Sequence, residues 1–120
     1  MEKNYQESKR KKGKKKLEIT EKEFQEKVIN SELPVLVMFW GSWCPVCKRA
    51  EPMLQEIAEE RDGEKISIKK MNIDRNPHIA TKYEVMGTPN FCLFKRGKLI
   101  NRRVGSQSKQ QLIQMIEEKI

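Results

Sequence analysis

Two of the three cysteines in this 120-residue chain stand three apart, in Trp43-Cys44-Pro45-Val46-Cys47-Lys48. Two thiols at that spacing form a reversible two-electron switch if the first can attack a disulfide and the second can displace what the first has captured. The segment follows a buried apolar run and opens an amphipathic one, which places it where a strand passes into a helix. A helix N-terminus offers unpaired N–H groups and positive dipole charge, both of which favour a thiolate. Cys44 is therefore expected to have a depressed pKa and to act as nucleophile, with Cys47, almost one turn deeper, as the resolving thiol. A structural zinc site needs about four ligands. One CxxC supplies two, and only Cys92 and His78 remain, without fitting spacing. No metal and no cofactor are expected, and Cys92, inside a predicted strand, reads as a small buried hydrophobe.

The elements that must position this pair follow from apolar periodicity and punctuation. A short strand at residues 17–19 leads to Thr20 and Glu23, a capping box whose helix buries Phe24 and Val28. Residues 34–40, Pro-Val-Leu-Val-Met-Phe-Trp, form a continuous apolar run suited to a strand buried on both faces. The helix that starts at the cysteines carries Met53, Leu54, Ile57 and Ala58 at helical spacing, and Pro52 should kink it. Residues 66–73 read as a strand and 76–84 as a short helix. Asn90–Lys95 and Leu99–Val104 read as an antiparallel hairpin joined through Arg96-Gly97-Lys98. A last helix follows, capped by Ser108 and Gln111, with Leu112, Met115, Ile116 and Lys119-Ile120 on its packing side. The order βαβαβαββα implies an α/β domain: one central mixed sheet flanked by helices.

Charge divides the chain in two. The net charge is +8, and residues 1–16 hold eight basic side chains against two acidic ones, so most of the excess lies in this segment. It is too polar to offset its ordering entropy and reads as a disordered basic tail ahead of a domain at 17–120. Contact of this tail with nucleic acid or membrane is the less favoured reading, because neither an aromatic stacking pattern nor a binding motif accompanies the charge. The alternative is a solubilising segment. No apolar run is long enough to span a bilayer and no signal-peptide h-region follows the basic start, which points to the cytoplasm. The expected state is a monomer.

The motifs together resemble the thioredoxin family over about residues 17–120. Phe39-Trp40-Gly41 precedes the cysteines, Pro52 falls at the kinking proline, Asn72-Ile73-Asp74 closes the next strand, and Gly87-Thr88-Pro89 stands where the family has its cis-proline loop. Gly97 and Val104-Gly105 take the late glycine positions. The resemblance implies a thioredoxin fold and a protein thiol–disulfide oxidoreductase, with protein disulfides as substrates and a flavin-dependent thioredoxin reductase as electron source. It also implies a substrate groove of Trp43, Thr88, Pro89, Gly105 and Ser106 around Cys44. The alternatives are a specialised oxidant or isomerase of an export compartment, and a non-catalytic interaction module of the same fold using the basic tail.

Two departures from the family bear on mechanism. The dipeptide between the cysteines is Pro45-Val46 where Gly-Pro is common. Proline at the first helical position costs no hydrogen bond, and the move restores an N–H at Val46 that is expected to point at the Cys44 sulfur. A stabilised thiolate implies a more oxidising couple than thioredoxin's, about −270 mV. Met38 stands where the family has a buried aspartate thought to help Cys47 lose its proton. Lys70 matches the lysine that partners this aspartate. The expectation is a slower resolving step, or a proton path through water or Lys70.

Overall fold

The computed structural model describes residues 16–119. The predicted basic tail lies outside the described residues except for Lys16, which is exposed. Helix α1 begins at Glu21–Phe24 and continues as a π-helical turn, Gln25–Ile29, closed by the Asn30 N–H donating to Gln25 O at 2.8 Å. Strand β1 (Val35–Trp40), helix α2 (Pro45–Arg61), strand β2 (Ser67–Asn72) and helix α3 (Pro77–Lys82) follow. The hairpin β3 (Asn90–Lys95) and β4 (Lys98–Val104) and helix α4 (Lys109–Lys119) complete the chain. The sheet order is β2-β1-β3-β4, with β1 parallel to β2 and β3 antiparallel to both of its neighbours.

This mixed sheet with flanking helices is the expected architecture, with local differences. The strand predicted at 17–19 is a single bridge, Glu18 to Lys70, held by Ile19 N–H to Lys70 O and Lys70 N–H to Leu17 O. Lys98 belongs to β4, so the hairpin turn is the two residues Arg96 and Gly97, at φ 53° and 80°. Two successive positive φ values are those of a type I′ turn, whose twist matches paired strands. The α4 capping box forms in both directions, Ser108 N–H to Gln111 Oε1 at 2.8 Å and Gln111 N–H to Ser108 Oγ at 3.0 Å. Lys119 is exposed rather than on the packing side, since its ammonium stays solvated at the helix end, and Ile120 lies outside the described residues.

Strand parity sorts the core into two layers. Leu36 and Met38 of β1 pack on one face of the sheet with Leu54, Ile57 and Ala58 of α2 and Leu112, Met115 and Ile116 of α4. Val35, Val37 and Phe39 face the other way, onto Phe24, Val28, Cys92 and Phe94. A strand covered on both faces must be apolar at every position, which accounts for the uninterrupted run of β1. Burial of its five residues from Val35 to Phe39 contributes about 1.5–3 kcal/mol for each large side chain. It anchors the strand end from which the cysteine segment leaves.

Candidate active site

Cys44 is the N-cap of α2, with extended backbone (φ −102°, ψ 104°) and Pro45 at the first helical position. Its sulfur accepts the Cys47 N–H at 3.1 Å. This corrects the expectation for Val46: an N-cap side chain meets the N–H groups of the second and third helical residues, and here the third, Cys47, makes the bond. The argument for a more oxidising couple therefore loses the donor on which it stood. The two cysteines are joined by a disulfide, their Cα atoms 5.3 Å apart, within the range such a bond requires. Both are nearly covered, Cys44 4% and Cys47 2% exposed. Exposure hardly separates them, and their positions on the helix distinguish their chemistry.

Trp43 is 63% exposed, and its indole N–H donates to Asp74 Oδ1 at 3.3 Å. The second oxygen of Asp74 accepts from the Ser42 hydroxyl at 3.2 Å and the Ser42 N–H at 3.4 Å. The ring lies over Gly41, where a Cβ would come within 2.7 Å of Trp43 Cε2. A side chain at this position would oblige the exposed indole to shift. Sequence reasoning noted Asp74 only as a strand ending and missed its role as the tether of the segment before the cysteines. The Thr88–Pro89 peptide is cis. Pro89 O accepts the Gly105 N–H at 2.8 Å, which joins the proline loop to the end of β4. Gly105 has φ +90° and Ser106 is exposed, so the structure brings Pro89 and Gly105 into direct contact.

Lys70 is next to Met38 in the β1–β2 register. Its ammonium pairs with Glu51 of α2 and lies 5.4 Å from the Trp40 ring centroid. Burial pushes the Lys70 pKa down, against the attraction of Glu18. Glu18 spans two donors, Trp40 Nε1–H and the Asn72 N–H, each at 3.0 Å. Burial raises its pKa above the usual carboxylate value, with these bonds and Lys70 acting in the opposite sense. Sequence reasoning missed Glu51 as well. The available signal was its position four residues after Cys47, on the same side of the helix. Cys92 is buried in the layer opposite α2, where burial raises its thiol pKa to about 11.

A cysteine pair at a helix N-terminus, fed by a buried strand, in a chain that also carries a cis X-Pro peptide, defines a class: thiol–disulfide oxidoreductases built on a mixed sheet. The thioredoxin family profile matches residues 15–118. The chain is 41% identical over 102 residues to the thioredoxin of Rickettsia bellii, which covers 85% of this chain and 96% of that protein. It is 39% identical over 104 residues to the thioredoxin of Acidithiobacillus ferridurans, covering 87% and 95% of the two chains. With thioredoxin 1 of a Nostoc species the identity is 37% over 101 residues, 84% and 94% of the respective lengths. The chain belongs to the thioredoxin family and is a protein-disulfide reductase. Among the described residues, no helix is long and apolar enough to cross a membrane.

Proposed function

We propose that Cys44 attacks disulfides in other proteins and that Cys47 resolves the product. The Cys44 thiolate forms a bond to one substrate sulfur and expels the other as a thiolate. The Cys47 thiolate then attacks Cys44 Sγ, closes the Cys44–Cys47 disulfide and releases the second substrate thiol. Two electrons pass to the substrate, and a dithiol donor must return them. The single observation that carries this assignment is the N-cap position of Cys44, where its sulfur accepts a backbone N–H and a negative charge is favoured. Trp43, Thr88, Pro89, Gly105 and Ser106 are proposed as the groove for the substrate chain, a reading supported by the contact between Pro89 and Gly105 and by the exposure of Trp43. Pro45 starts the helix without losing a bond, Val46 follows it, and Lys70 is the half-buried cation paired in register with Met38.

A thioredoxin reductase is the proposed electron donor. A reductase works where thiols are kept reduced, so the cytoplasm is the proposed compartment. Cys47→Ser tests the roles. It should trap mixed disulfides on Cys44 that dithiothreitol releases, while Cys44→Ser should trap none. Trapping by Cys44→Ser alone would reverse the assignment.

A further inference from the structure

Arg102 of β4 does not belong to the cysteine site, yet its guanidinium reaches two acceptors in the segment leading to Thr88 and Pro89 and a third on Asn90, the first residue of β3. It donates to Tyr83 O, to Glu84 O at 3.2 Å and to Asn90 Oδ1 at 3.4 Å. Tyr83 and Glu84 are the residues that end α3. Val85 N–H bonds Ala80 O at 2.9 Å and Glu84 N–H bonds Thr81 O at 3.0 Å, a Schellman closure with Glu84 at φ 54°. That position normally takes glycine, and a side chain there costs about 1–2 kcal/mol. Arg102 takes two further carbonyls at this helix end, those of Tyr83 and Glu84, a favourable use of a cation at the negative pole of a helix. Tyr83 is also fixed by its ring, edge-on to Phe94 with centroids 5.1 Å apart.

Asn90 carries the constraint forward. Its Oδ1 also accepts the Cys92 thiol at 3.3 Å, and its Nδ2 donates to Gly87 O at 3.2 Å. Burial raises the Cys92 pKa to about 11, so the thiol remains a donor at neutral pH. Guanidinium and thiol together orient the amide so that its N–H₂ faces Gly87, the residue before Thr88. The held loop borders a cleft of about 530 Å³ lined by Glu84, Met86, Gly87, Asn90, Arg102 and Val104. Met86 is 91% exposed and Val104 53% exposed at its rim.

We infer that Arg102 is a positioning residue for the protein-substrate groove: it caps α3 and orients Asn90, holding residues 83–88 in the shape that presents Thr88 and Pro89. This rests on the groove proposed above. A guanidinium is suited to the task because its planar fork serves several carbonyl oxygens at once, which an ammonium on a flexible stem does less well. Losing two or more charge-assisted bonds at a groove wall should weaken binding of an extended chain without altering sulfur chemistry.

The test compares Arg102→Gln, Arg102→Lys and Trp43→Ala in the full-length protein, using insulin as the protein disulfide and 5,5′-dithiobis(2-nitrobenzoate) as a small one. Arg102→Gln should raise KM for insulin about tenfold with kcat within about twofold of the parent, leave the small disulfide unaffected, and speed amide exchange at residues 84–88. Arg102→Lys should raise KM less. An unchanged insulin KM in folded Arg102→Gln, with Trp43→Ala raising it, would overturn the inference alone. If neither variant raises KM, the groove reading falls with it. A parallel loss on both disulfides would mark Arg102 as merely structural. If Arg102→Gln does not fold, the KM and exchange of Arg102→Lys decide, unchanged values overturning the inference.

Discussion

Replacing Met38 by aspartate puts a carboxyl into the layer between β1 and α2. Met38 is fully buried among Leu36, Leu54, Ile57 and Phe91. Removing its side chain forfeits about 1.5–3 kcal/mol of apolar burial. An ionised carboxylate added there is costly, and Lys70, the neighbour in register, is engaged with Glu51. A total of about 4 kcal/mol, at roughly 4–8 °C per kcal/mol for a domain near this size, predicts that Tm falls by about 15–30 °C at neutral pH. The sign in pH follows from burial. The new carboxyl has a folded pKa raised above its unfolded value of about 3.9. Its folded state binds the extra proton in between, so stability is greatest in acid and falls as pH rises through the folded pKa. Melts of Met38→Asp across pH 4–8, beside Met38→Leu as the volume-conserving control, measure this. Single-turnover oxidation of the Cys44–Cys47 dithiol by a mixed disulfide measures the chemistry, and the aspartate variant should show a pH dependence of the resolving step absent from the parent. A Tm within about 5 °C of the parent would refute the packing argument, and an unchanged pH profile would show that this position does not govern proton removal from Cys47.

Glu18 makes a second pH prediction. Because burial raises its folded pKa above 4.5, its contribution to stability is fullest below that value and declines as pH rises through the folded pKa. Glu18→Gln should flatten this limb of the Tm–pH curve, and an unaltered slope would contradict the assignment. Asp74→Ala removes the acceptor shared by Ser42 and Trp43. Its bonds are exposed, so the expected loss is about 1 kcal/mol, or roughly 4–8 °C in Tm. The freed indole should raise KM for a protein disulfide about threefold with little change toward a small one. Equal KM values for parent and variant would remove Trp43 positioning from the function of Asp74.

The chain's own residues determined the architecture and the reacting atoms. An apolar run with no polar interruption, too short for a typical helix and rich in β-formers, suits a strand covered on both faces, and Val35–Phe39 is one. Cys44 and Cys47 lie three apart with a proline between them, which suits a helix start and little else. Capping and turn signals were local too, so Ser108 with Gln111, and Gly97, could be read before any contact was known. What tertiary structure decided was which distant groups meet. Asp74 is 31 residues from Trp43, Lys70 is 19 from Glu51 and Arg102 is 18 from Glu84, and a hydrogen bond across such a gap leaves no periodicity in the sequence. The strand expected at 17–19 shrank to a bridge for the same reason: propensity gives a segment its preference, but the partner edge decides how much of it pairs. Even the donor to Cys44 Sγ moved from Val46 to Cys47, because the aim of an N–H depends on how the first turn of α2 closes.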